Sequence, residues 1–140
     1  MNISEKLFKK RVMSFLLKRN ITTIDLRSGT FDLFLDEGNR CFLELKIANP
    51  NYKFRAKELG INLGPQTKAL RIMKNMPIVL ACNHRNMNEC FVAFPKELKK
   101  LVEVRKGYPK VAIGIRNLKI LSFENAIKKI AKHLTVRAKV

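Results

Sequence analysis

The sequence predicts an α/β domain with a mixed central β-sheet flanked by helices. Three observations carry this. Near the start, Phe8, Val12, Phe15 and Leu16 recur at helical spacing. Between them and the end lie short apolar runs bounded by polar turns, such as "DLFLDEGNRCFLELK", "PIVLAC" and "ECFVAFP". A second amphipathic stripe, Phe123, Ile127 and Ile130, comes last. Helical and strand periods interleaved over 140 residues, 46% hydrophobic and 29% charged, describe one folded domain with its own core.

The elements follow in order. A helix runs from about Ser4, its N-cap, to Arg19, and Asn20 is its stop. "ITTIDLR", rich in β-branched residues, is a strand. A hairpin comes next, with "DEGN" as its turn. Residues 48–63 read as irregular. Gly64-Pro65 opens a second helix, about Pro65 to Met76. "PIVLAC" and "ECFVAFP" are strands around the polar turn "NHRNMN". If that turn centres on Asn86, Cys82 and Cys90 face each other across it as free thiols, and His84 lies on the surface. "PKELKKLVEVRK" is helical and "KVAIGIRN" a strand. Ser122 caps the last helix, "SFENAIKKIAKHL", and a basic tail follows.

Charge narrows the function. Lys and Arg number 29 against 11 Asp and Glu, for a net charge of +18 and a pI of ≈ 10.3. Such a surface attracts polyanions, and nucleic acid is the leading partner. The basic residues are spread through every segment and not stacked on one amphipathic helix, which disfavours a membrane surface. No run approaches the length of a membrane span, and "MNISEKLFKK" lacks the apolar stretch of a signal peptide, so an intracellular protein is expected. Three cysteines without CxxC spacing suit a reducing compartment. "CNHRNMNEC" offers only three possible zinc ligands where a structural site needs four. Neither GxGxxG nor GxxxxGK[ST] occurs, so no nucleotide cofactor is expected.

The hairpin carries the chemistry. Side chains alternate along a strand, so Leu33, Leu35, Cys41, Leu43, Leu45 and Ile47 form one apolar face. Asp32, Phe34, Phe42, Glu44 and Lys46 form the other. An odd loop pairs position 32 with position 44, and an even loop separates them. With an odd loop the two carboxylates stand roughly 5 Å apart at Cβ and repel unless a cation lies between them. Mg²⁺ takes oxygen ligands, often one or two carboxylates plus substrate phosphate. The main-chain carbonyl of Leu45 could complete the shell, and Lys46 could hold the attacking water or the strained phosphate. The alternative is a solvated sheet face bearing a Glu and a Lys. The small-residue approach "RSG" before Asp32 would let a phosphate backbone come close, or is an ordinary turn. Gln66, on the buried side of the second helix, would need a partner such as the carboxylate face or a metal-bound water, or is a capping residue at the helix start.

Asp, a turn, Glu-x-Lys on the next strand and a helix with an early Gln together resemble the PD-(D/E)XK nuclease superfamily. "LRSGTFDLFLDEGNRCFLELK", "LGPQTKAL" and "MPIVLAC…CFVAFP" look most like the archaeal Holliday junction resolvases and are similar to VRR-NUC nucleases. The resemblance covers residues 1 to about 98. It implies a restriction-endonuclease-like fold, and Asp32 and Glu44 as ligands of Mg²⁺ or Mn²⁺ with the Leu45 carbonyl. It also implies Lys46 assisting the attacking water and Gln66 orienting the centre. Arg27 and Ser28 match positions that touch the scissile strand. Lys9, Lys10, Lys53, Arg55, Lys57 and Lys68 would contact DNA phosphates. Phe31 stands where the motif has proline. The helix-one glutamate of the family falls near Lys9, and Glu5, one turn earlier on the same face, could replace it. The implied activity is metal-dependent endonucleolytic hydrolysis of branched DNA by a homodimer. A less selective DNA nuclease and a non-catalytic DNA- or RNA-binding protein are the alternatives. Residues 99–140 have no counterpart in the resemblance and are assigned to DNA binding or dimerisation.

Overall fold

The computed structural model describes residues 3–26, 32–35, 41–48, 58–62, 78–97, 110–114 and 119–138. Helix α1 spans Glu5–Leu17, and the Ser4 hydroxyl caps it by accepting from the Leu7 N–H at 3.1 Å. Phe8, Val12 and Leu16 fill its buried stripe. Its end is closed by the Asn20 N–H donating to the Leu17 carbonyl and the Ile21 N–H donating to the Leu16 carbonyl. This is the Schellman arrangement, with Asn20 left-handed at φ 61° and Ile21 buried against the last turn. Asn tolerates that conformation better than residues with a bulkier β-carbon substituent. Asn20→Gly therefore keeps the wild-type urea midpoint, whereas Asn20→Ala lowers stability by about 1 kcal/mol.

Strands β1 (Thr23–Asp25), β2 (Leu33–Leu35) and β3 (Cys41–Ala48) form an antiparallel meander. Strand β5 (Ile78–Asn83) joins β3 in parallel, and β6 (Asn86–Ala93) returns antiparallel to β5. The five-stranded mixed sheet has the order β1-β2-β3-β5-β6. Helix α2 spans Phe123–Ala138, with the Ser122 hydroxyl accepting from the Asn125 N–H. It therefore runs on into the segment expected as a basic tail. The α/β class expected from the sequence is the one observed.

Strand β4 (Glu58–Asn62) is a departure from expectation, because it lies within residues 48–63, read as irregular. "ELGIN" has low strand propensity, and its backbone is paired by β7 (Lys110–Gly114) in a separate two-stranded sheet. The helix expected over 65–76 lies outside the described residues; the one expected over 95–106 is helical at 95–97, and the rest of it lies outside them.

Both described helices pack on one face of the sheet. The core joins Phe8, Val12 and Leu16 of α1 and Phe123, Ile127, Ile130 and Leu134 of α2 to Leu33, Leu35, Leu43, Leu80 and Val92. Phe123 meets Phe8 and Phe15 edge-on, at ring-centroid distances of 6.3 and 4.9 Å. Val79, Ala81, Phe91 and Ala93, on the opposite face, are buried too, as expected at the parallel centre of a mixed sheet.

Cys82 and Cys90 are paired across β5 and β6 and are free, buried thiols. Burial pushes both up to about 12 from 9.0. Between those values unfolded thiols ionise while the native ones keep their protons, so stability falls as pH rises from about 9 toward 12. Urea midpoints measured across that range should fall less steeply for the Cys82→Ala/Cys90→Ala double variant than for wild type.

His84 is not on the surface. It is 8% exposed, because its carbonyl accepts from the Ile3 N–H at 2.7 Å and the segment leading into α1 lies against the turn. The turn itself is at 84–85 and not centred on Asn86. The strand pairing shifts register between Cys82 and Asn83, so Cys82 still pairs with Cys90 while Asn83 pairs with Asn86.

Candidate active site

The site forms where β2 parts from β3. Their ladder pairs Leu35 with Cys41, Phe34 with Phe42 and Leu33 with Leu43. Residues 36–40, an odd number, connect them, so the same register carried one step further sets Asp32 opposite Glu44. The Asp32 carbonyl still accepts from the Leu26 N–H on the β1 side, at 3.0 Å. On the other side the Asp32 carboxylate replaces the ladder, its Oδ2 accepting from the Leu45 N–H at 2.8 Å. A residue's N–H and C=O point to the same edge of its strand. The Leu45 carbonyl therefore faces the edge that Asp32 occupies.

Glu44 projects from the face that also bears Phe34 and Phe42, whose ring centroids are 5.3 Å apart. Its side chain is 5% exposed, and an ionised carboxylate buried to that degree needs a compensating charge. Lys46, two residues on and on the same face, brings its ammonium to 3.5 Å from Glu44 Oε1. With its side chain 26% exposed, Lys46 joins this buried pair to solvent.

The two carboxylates open into a cleft of ≈ 460 Å³. α1 forms the opposite wall with Glu5, Lys6, Phe8 and Lys9; Asp25, Leu45, Lys46 and Ile47 complete the lining. Four of the chain's 11 acidic residues line it beside Lys6, Lys9 and Lys46, so carboxylates are concentrated here in an otherwise basic protein. Asp25 is held by Lys9, whose Nζ donates to Asp25 Oδ1 at 3.0 Å.

Of the residues singled out from the sequence, Asp32, Glu44, Leu45, Lys46, Glu5 and Lys9 line this one cleft. Glu5 and Lys9 share a helical face, as their spacing requires. The ammonium of Lys9, expected on a DNA phosphate, is engaged with Asp25. Lys10 is exposed on α1 outside the lining. Gln66, Arg27, Ser28, Lys53, Arg55, Lys57 and Lys68 lie outside the described residues. The sequence reading missed Asp25 and Lys6. A signal for Asp25 existed, since it is the one charged residue in the apolar and β-branched run "ITTID". Its partner on α1 is set only by tertiary packing.

The donors at the fork are two carboxylates and a main-chain carbonyl. These are hard oxygen ligands of the kind Mg²⁺ and Mn²⁺ take, and no thiolate or imidazole is among them. Among the described residues, no three His, Cys, Asp or Glu side chains form a metal-holding group, so such an ion would draw further ligands from substrate phosphate and water. No helix among the described residues is long and apolar enough to cross a membrane. Neither a protein-family model nor a curated protein matches the chain.

Proposed function

We propose that the chain is a metal-dependent endodeoxyribonuclease of PD-(D/E)XK type, with a restriction-endonuclease-like fold. The observation that carries this is the convergence of Asp32, Glu44 and Lys46 on one cleft of a chain with net charge +18. A polyanion is drawn to the surface by charge, and the acidic cleft is where a divalent cation can meet its phosphate.

Asp32 and Glu44 would hold Mg²⁺ or Mn²⁺ with the Leu45 carbonyl. When bound, such a cation supplies electrostatic stabilisation of the phosphodiester undergoing hydrolysis. Asp32, fixed by the Leu45 N–H, keeps its carboxylate at the fork. Glu44 holds Lys46 by its ammonium, and Lys46 offers its remaining N–H donors to the attacking water and to the charge that develops on phosphate. Glu5, from the facing wall, is the carboxylate that α1 can add.

Branched DNA as substrate, and a homodimer whose two sites cut symmetric strands, follow from the likeness to the resolvases. An intracellular setting, in which thiols stay reduced, accords with the buried thiols of Cys82 and Cys90. A non-catalytic nucleic-acid-binding protein is the second reading. It is favoured by the Glu44–Lys46 ion pair, which neutralises a buried carboxylate without a metal.

The test is cleavage of a four-way junction, a linear duplex and single-stranded DNA by wild type and Glu44→Ala, with Mg²⁺, Mn²⁺ or EDTA. Metal-dependent cutting lost in Glu44→Ala supports the nuclease, and preference for the junction supports a resolvase. Equal cutting of all three makes it a less selective nuclease. Tight binding without cutting, equal in both proteins, leaves the binding protein.

A further inference from the structure

We propose that the outer face of the helix layer is a second, separate phosphate-binding surface, which takes duplex DNA. The inference rests on the nucleic-acid reading above for its class of partner. α1 and α2 lie side by side on the sheet, joined through Phe8, Phe15 and Phe123. The apolar positions of α2 from Phe123 to Leu134 are turned into the core, which leaves Lys128, Lys129 and Lys132 outward. α1 turns out Lys10 and Arg11, and Lys18 follows at its end.

Among the described residues none of these six charges forms a salt bridge; the salt bridges are those of Lys9 and Lys46, both at the cleft. Glu5 and Glu124, the acids of the two helices, sit in first turns, where the helix dipole accounts for them. Lys128 has Glu124 four residues before it and Lys132 four residues after it, so an attractive and a repulsive spacing of similar size offset each other, and Lys129 and Lys132 add uncompensated charge to the exposed face. One turn is about 6 Å of axis, the rise of about two phosphates along one DNA strand. Two of the ammoniums are also anchored over aromatic rings. Lys129 lies 5.6 Å from the ring centre of Phe94, which stacks on His133, and Lys18 lies 4.6 Å from that of Phe15. Between Phe123 and Leu134 the outward face of α2 carries no apolar side chain that could enter a bilayer, which favours nucleic acid over a lipid headgroup surface on that helix, whereas α1 exposes Leu7 and Leu17.

The experiment is fluorescence anisotropy of a labelled linear duplex in EDTA over a range of KCl, with wild type and the Lys128→Gln/Lys129→Gln/Lys132→Gln variant. Gln keeps helix propensity, and circular dichroism confirms the fold. The expected result is a log K against log salt slope shallower by about 2 to 3, at about 0.9 for each phosphate no longer neutralised, with binding at least about tenfold weaker. Wild-type slope and affinity in the variant overturn the proposal. So does a variant that loses only binding to phosphatidylserine vesicles. Binding is read without cleavage. A chain that holds duplex through α2 and never cuts defeats the nuclease reading and leaves this inference standing; a chain that cuts and shows no change in slope does the reverse.

Discussion

Asp32→Asn should lower metal-dependent cleavage by at least about 100-fold while leaving the chain folded. The asymmetry comes from the two jobs of this side chain. One oxygen accepts from the Leu45 N–H at the fork between β2 and β3. An amide oxygen can accept the same bond, so the fork holds. The negative charge that would bind Mg²⁺ or Mn²⁺ is gone. Asp32→Ala removes both, and the part-buried Leu45 N–H then costs about 1–3 kcal/mol. Comparing cleavage with urea midpoints for the two variants separates the roles. If Asp32→Asn cuts like wild type, the carboxylate is not a metal ligand and the nuclease reading falls.

Phe8→Ala should cost about 3–5 kcal/mol, a large part of the roughly 5–15 kcal/mol that holds a domain together. Phe8 is 1% exposed and touches Phe123 edge-on, so its loss empties space between α1, α2 and the sheet. The same ring lines the cleft. Truncation would join the void to solvent and also loosen the wall that carries Glu5 and Lys9. Denaturant unfolding reads the first effect. A loss below about 1 kcal/mol would mean that the core closes without this ring.

Much of this was legible in the sequence because alternation is a strict code. Leu33 and Leu35 had to share a face of their strand, as did Cys41 and Leu43, and Phe42 and Glu44, so only loop parity stood between rows that coincide, with two carboxylates that meet, and rows that do not. Ser4 and Ser122 announced their helices by capping chemistry. β4 escaped notice because a weak strand sequence owes its form to β7, far along the chain. His84 misled because its polar neighbours describe the turn and not the N-terminal segment that covers it. The Lys9–Asp25 pair was hidden for the same reason: packing between α1 and β1 has no local signature.

The interlock of Phe8 and Phe15 with Phe123 also dictates an order of assembly. Ribosomes deliver about 5–20 residues per second, so α1 and the sheet emerge seconds before α2. During that interval the rings of α1 lack Phe123, and β6 lacks the main-chain partner that Leu121 gives to Cys90. Until then the nascent chain exposes the apolar surface that α2 covers among the described residues. It is during that interval that the polypeptide is most open to chaperone capture and to aggregation.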